Sequence, residues 1–250
     1  MSILLEAQPN AFKALYRVRQ KTRELTQLEK DAPEAPWGYY GQGLRGYNDH
    51  LLWVGSPQKL DGHISERLAQ GKKSFAMDLA GPGQVLREMP LAGGLAVTLA
   101  DRRTDELKGY DQEHNIATLE ADILSKHSWI KITDWLKDQG SDGFDLILCN
   151  PVAGFKYFPK DENLYYYLIQ KTWETLNPDG GTFYGEIPRA FLTTSVRNWA
   201  RQLWSQNNIH ATYSGVALEL IRLPNSPDVL PTLEEQPNPN MGSPVLSASA

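Results

Sequence analysis

Acidic or amide residues recur at the ends of short apolar runs, each beside a turn-forming or small residue, and that arrangement has a chemical use. The first instance is Asp78-Leu79-Ala80-Gly81-Pro82-Gly83. Glycines let a backbone approach a ligand closely, and a helix that follows presents unpaired N–H groups to it. The second run ends at Asp101, 18 residues past Gly83, where a carboxylate can accept both hydroxyls of a ribose. The third ends at Asp122-Ile123, a carboxylate suited to the amino group of an adenine beside an apolar side chain. The fourth ends at Asn150-Pro151. An asparagine carbonyl with a neighbouring backbone carbonyl can accept hydrogen bonds from a planar amine and so aim its nitrogen lone pair. Any one of these serves equally well as a turn former or helix cap. Asn-Pro itself occurs twice more, at Asn177 and Asn238. The ordered recurrence is what points to one crevice along the edge of an open sheet.

The elements that would position these residues alternate along the chain. SFAMDLA, GLAVTLAD, NIATLEADI, FDLILCN and GTFYGEIP read as strands, the last preceded by the helix-like NLYYYLIQKTWETL and the turn Asn177-Pro178-Asp179-Gly180-Gly181. Near-continuous apolar runs between helical stretches imply parallel strands covered on both faces. After the helix-like AFLTTSVRNWARQLWSQ, the runs IHATYSG and VALELIRL are almost contiguous and predict an antiparallel hairpin. Residues 1–73 read as an N-terminal helical and aromatic-rich extension, in which Trp37, Tyr39, Tyr40 and Tyr47 either cover a ligand or pack against the sheet. Residues 224–250 hold six prolines and no aromatic residue, a composition expected of a disordered tail.

The order glycine loop, strand-end acid, strand-end Asp, strand-end Asn-Pro, Leu-Asn-Pro-Asp-Gly-Gly turn, strand and closing hairpin resembles the class I S-adenosylmethionine-dependent methyltransferases over residues 74–223. The resemblance implies an α/β, Rossmann-like, doubly wound and mostly parallel seven-stranded sheet with a reversed terminal strand. It also implies S-adenosyl-L-methionine as cofactor and a methyl acceptor as partner. By position, Asp78, Ala80, Gly81 and Gly83 would pass the methionine part of the cofactor. Asp101 would take the ribose diol, with Arg102 also among the cofactor-binding residues, and Asp122 and Ile123 the adenine. Asn150 and Pro151 resemble the substrate-amine motif of amino-methyltransferases, with Phe155 and Tyr157 beside the acceptor. Two departures stand out: DLAGPG is one residue short with Ala80 where the first glycine belongs, and Asn150-Pro151 is followed by Val152-Ala153 rather than by proline and an aromatic.

Composition narrows the field further. The chain has 250 residues, 41% of them hydrophobic and 22% charged, enough apolar matter for a sizeable core. One cysteine, Cys149, excludes an internal disulfide and a cysteine-based zinc cluster, and the five histidines show no metal-like spacing, so no metal site is expected. No apolar run approaches a membrane span of roughly 20 residues. The N-terminal MSILLEAQPNAFKALYR lacks the basic n-region of a signal peptide, so a soluble, cytoplasmic protein is expected. The net charge of −5 does not favour nucleic acid, which stays open as an acceptor. Two other readings share parts of the pattern. A nicotinamide-dependent oxidoreductase shares the glycine loop and strand-end acid, but no Tyr-x-x-x-Lys proton donor is evident. A non-catalytic binding or scaffold protein is compatible with the shortened loop.

Overall fold

The structure is a computed structural model and describes residues 64–81, 83–98, 114–149, 161–186, 194–205, 208–213 and 217–232. Its centre is one seven-stranded sheet in the order β3-β2-β1-β4-β5-β7-β6. The strands are β1 (Phe75–Leu79), β2 (Gly93–Thr98), β3 (Ile116–Glu120), β4 (Leu146–Cys149), β5 (Thr182–Glu186), β6 (Ile209–Tyr213) and β7 (Ala217–Arg222). Strands β1 to β5 pair in parallel, while β7 runs antiparallel to both β5 and β6. The Rossmann-like sheet with a reversed terminal hairpin that the sequence implies is therefore present.

Alternation along the strands divides the core between the two faces of the sheet. Phe75, Met77 and Leu79 of β1 join Leu95, Val97, Ile147, Phe183, Leu218 and Leu220 in the larger cluster. Three helices cover it: α1 (Lys126–Asp138), α2 (Glu162–Thr175) and α3 (Thr194–Ser205). On α1 the ring of Trp135 stacks on Phe144 at 5.8 Å and meets Phe75 edge-on at 6.3 Å. On α2 the buried Leu164, Tyr165, Leu168, Ile169, Thr172 and Trp173 repeat at helical spacing, and Asp161 caps the first turn by accepting from the Asn163 N–H at 2.9 Å. The opposite face carries Ala76, Ala96, Leu146 and Leu148 beneath Ile64, Val85, Leu86 and Met89.

Residues on either side of the expected 74–223 domain pack against it. Residues 64–69, placed by sequence in the extension, are helical and bury Ile64 completely against the sheet. Residues 224–232, expected to be disordered, lie docked on α2 and α3, with Leu230 only 1% exposed. Composition misjudged this stretch because its order comes from donors on the helices rather than from its own apolar content. The Trp173 indole N–H donates to the Pro227 carbonyl, the Tyr166 hydroxyl to that of Leu230 and the Trp199 indole N–H to that of Pro231, each at 2.8 Å. Residues 1–63 and 233–250 lie outside the described residues, and so do Trp37, Tyr39, Tyr40 and Tyr47.

The amino edge of the sheet is fastened by a residue embedded in an otherwise apolar run. Asp145, 1% exposed, accepts from the Phe75 N–H at 2.8 Å and from the Asn177 amide at 3.0 Å. The Arg67 Nε lies 2.7 Å from the same carboxylate. Burial pushes the Asp145 carboxyl above its ordinary value, against the opposing pull of the Phe75 N–H, Arg67, Asn177 and Lys72. The Asn177-Pro178-Asp179-Gly180-Gly181 turn holds Asn177 in place, its Oδ1 accepting from the Asp179 N–H at 2.9 Å. One carboxylate thus ties the starts of β1 and β4, the turn into β5, and helical residues 64–69. Removing one partner of a buried pair leaves the other uncompensated. Arg67→Ala is expected to destabilise the domain by about 2–3 kcal/mol in urea denaturation.

Candidate functional site

Strand order reverses direction between β1 and β4, and the crevice outside the carboxyl ends of strands at such a point is where open α/β sheets bind ligands. Asp78, the penultimate residue of β1, sits there between Ala96 of β2 and Leu148 of β4 in register. The chain turns sharply after Leu79. Ala80 has φ 63° and Gly83 φ 78°, so two residues of a five-residue stretch occupy the left-handed region. The Gly83 N–H donates to Asp78 Oδ2 at 2.7 Å, folding the turn back over the carboxylate. A Cβ on Gly81 would overlap that carboxylate, and one on Gly83 would lie 2.7 Å from the Ala96 Cβ. Glycine at 81 and 83 is therefore demanded by close approach of the turn to β1 and β2. Ala80, standing where a glycine is expected, pays a left-handed conformational cost.

Asp78 is 4% exposed, and burial pushes its carboxyl from the ordinary 3.8 up to about 6, with the Gly83 N–H acting in the opposite direction. No cationic side chain among the described residues contributes to lowering it. The contrast with Asp145, which has Arg67 and Lys72 nearby, is direct.

The helix expected after the glycine turn is only a five-residue 3-10 turn, Gln84–Glu88. Pro90 explains the stop: the residue before a proline is driven out of the helical region, and Met89 is extended at φ −110°, ψ 142°. Among the described residues the turn after β1 therefore leads into no long helix.

Asp122 lies at the same carboxyl edge, in the turn from β3 into α1 rather than in the strand itself, since β3 ends at Glu120. It is 5% exposed; its Oδ1 accepts from the Leu124 N–H at 2.9 Å and its N–H donates to Ser128 Oγ at 3.1 Å. The half-buried Ile123 offers its carbonyl to the Trp129 indole N–H at 2.8 Å. Parallel pairing of β1, β2 and β3 therefore brings Asp78, Ala80, Gly81 and Gly83 to the same edge as Asp122 and Ile123. Asp101, Arg102, Asn150, Pro151, Phe155 and Tyr157 lie outside the described residues. β2 ends at Thr98 and β4 at Cys149, three residues before Asp101 and one before Asn150.

The tyrosine run on α2 has structural partners. Tyr165 is buried, and Tyr166 packs edge-on against Trp199 at 5.8 Å. Tyr167 is half-buried, its hydroxyl pushed up to about 12 by burial and by the carboxylates of Glu174 and Asp122. Among the described residues no group of three or more His, Cys, Asp or Glu could hold a metal ion, and no helix is long and apolar enough to cross a membrane.

No family model and no curated protein matches the chain. Among solved structures it is similar to the N-methyltransferase NodS from Bradyrhizobium japonicum WM9, at 14% identity over 66% of this chain and 95% of that one, with a TM-score of 0.39. It is similar to magnesium protoporphyrin IX methyltransferase (ChlM) from Synechocystis PCC 6803 with bound SAH, at 13% identity, 81% and 99% coverage and a TM-score of 0.40. A third likeness is Haemonchus contortus phosphoethanolamine N-methyltransferase 1, at 10% identity, 87% and 51% coverage and a TM-score of 0.46. The chain spans about half of that last protein. These are distant likenesses; the strand order of this sheet stands on its own hydrogen bonding.

Two outcomes follow for the turn. Below the unfolded pKa of 3.8 the Asp78 carboxyl is neutral in both states, and above about 6 its ionisation carries the full burial cost in the folded state. Wild type should therefore lose stability relative to Asp78→Asn as pH rises from about 4 to about 6, the gap reaching about 2–3 kcal/mol at neutral pH in parallel thermal melts. Ala80→Gly, by relieving the left-handed strain, should raise stability by about 0.5–1 kcal/mol in the same assay.

Proposed function

We propose that the chain is an S-adenosyl-L-methionine-dependent methyltransferase acting on a nitrogen of its acceptor. The observation that carries this reading is Asp78, a carboxylate buried under a glycine turn at the switch point, with no described cation to offset it. The ammonium of an amino-acid cofactor complements such a group. A dinucleotide would instead set its anionic diphosphate against that carboxylate, which argues against the nicotinamide alternative. Asp122 and Ile123, at the same edge, suit an adenine amino group and ring, so the residues present fit the adenosyl cofactor at both ends. Asp101 would hold the ribose diol, with Arg102 also among the cofactor-binding residues.

When bound, the cofactor supplies a methyl group already activated on a sulfonium. The work left to this chain is alignment and exclusion of water. Asn150 and Pro151, immediately after the buried β4, would accept hydrogen bonds from a planar amine and turn its lone pair toward the methyl. Phe155 and Tyr157 would pack on the acceptor. A nucleobase, a protein side chain or a small metabolite fits that chemistry, and a non-catalytic scaffold is the second reading.

Calorimetric titration separates these cases: binding of S-adenosylmethionine without NAD(H) supports the proposal, the reverse revives the oxidoreductase, and binding of neither leaves the scaffold. Affinity for the donor should fall as pH drops below about 6, because a protonated Asp78 no longer attracts the ammonium, and Asp78→Asn should abolish that dependence. Asp101→Ala should weaken donor binding by about 1–3 kcal/mol. Asn150→Ala should leave donor affinity intact while lowering methylation of the acceptor fraction, traced with a radiolabelled donor in cell extract.

A further inference from the structure

Residues 224–232 follow β7 and dock on α2 and α3. Four consecutive contacts read their backbone rather than their side chains. Trp173 Nε1 meets the Pro227 carbonyl at 2.8 Å and Gln170 Nε2 the Asp228 carbonyl at 3.4 Å. The Gln170 Oε1 accepts from the Leu230 N–H at 2.8 Å, and the Tyr166 hydroxyl donates to the Leu230 carbonyl. Tyr166, Gln170 and Trp173 are spaced i, i+4, i+7 and form one stripe along α2. The Pro231 carbonyl then takes the indole N–H of Trp199, on α3. Pro227 and Pro231 have no N–H to satisfy, so a surface of hydrogen-bond donors is all that these two positions need. Leu230 is the one side chain of the stretch buried in the core, whereas Val229 is exposed. Arg222 Nη2 pairs with Asp228 at 2.9 Å, while Nη1 reaches the Leu176 carbonyl just past the end of α2.

Every partner named here lies on α2, on α3 or at the end of β7. None lies on β1, β2, β3 or the 3-10 turn. Helices α2 and α3 are the elements that follow β4 and β5 in the chain. We infer that residues 227–231 are a clamp that sets the local stability of α2 and α3 separately from the glycine-turn half of the domain. Lifting the clamp loosens the β4–β5 side and leaves the Asp78 turn in place. In combination with the methyl-transfer reading, on which this one extension rests, the clamp acts on the helices that follow β4 and β5 and leaves in place the Asp78 turn, which in that reading faces the donor's amino group.

The test is native-state hydrogen exchange on the full chain, read peptide by peptide, for wild type, Leu230→Ser, Leu230→Met and Tyr166→Phe. Leu230→Ser should lower protection in α2 and α3 about tenfold or more while β1, β2 and β3 stay within about twofold. Leu230→Met should restore wild-type exchange, and Tyr166→Phe, which removes only a hydroxyl, should give a smaller loss in the same helices. A loss spread evenly over all strands, or none in α2, overturns the clamp. Should Leu230→Ser fail to fold, Tyr166→Phe decides by the same criterion. A parallel titration with S-adenosylhomocysteine should show unchanged affinity in Tyr166→Phe. Absence of binding in wild type would count against the methyl-transfer reading and leave the exchange result standing.

Discussion

Four parts of the fold meet on the carboxylate of Asp145, and the arrangement of the sheet depends on that meeting. The start of β1 donates an N–H to it, β4 begins beside it, the turn into β5 presents Asn177, and residues 64–69 bring Arg67. Parallel strands share no hairpins, so nothing in local chain geometry fixes their relative heights. A buried anion with several donors does so, because each donor left unpaired would cost more than its bond contributes. Strand heights set at the amino edge are carried along rigid parallel strands to the carboxyl edge, where Asp78 and Asp122 sit.

Asp78 and Asp145 form an informative pair. Both are buried aspartates, one near the end of β1 and one just before β4, yet among the described residues one has a guanidinium beside it and the other a backbone N–H alone. Burial raises both carboxyls, but at Asp145 several partners oppose it, whereas at Asp78 the opposing pull comes from the Gly83 N–H. The strained Ala80 and the glycine-only positions 81 and 83 belong to the same small region, which concentrates the conformational cost of the fold at the place proposed to bind.

Strand positions were legible because burial on both faces gives continuous apolar runs: six of the seven strands fall within the stretches named from sequence, and β2 begins one residue earlier, at Gly93. The carboxyl-edge placement of Asp78 and Asp122 followed from the same pattern. The short 3-10 turn was not foreseen, although Pro90 carried the signal. Asp145 was overlooked inside FDLILCN, because an acid in an apolar run looks like noise until its partners, 70 and 32 residues away, come into view. Residues 224–232 were misread for a related reason: their proline-rich composition says nothing of the indole and phenol donors waiting on α2 and α3. Tertiary partners, not local preference, decided both.

The docked segment has one more consequence. Trp173 and Trp199 are fully buried, and each spends its indole N–H on a carbonyl of this segment, at Pro227 and Pro231. An indole's emission wavelength follows the polarity around that nitrogen. The domain therefore contains a pair of intrinsic chromophores wired to the position of its C-terminal stretch, and undocking would be visible as a colour shift without any label attached.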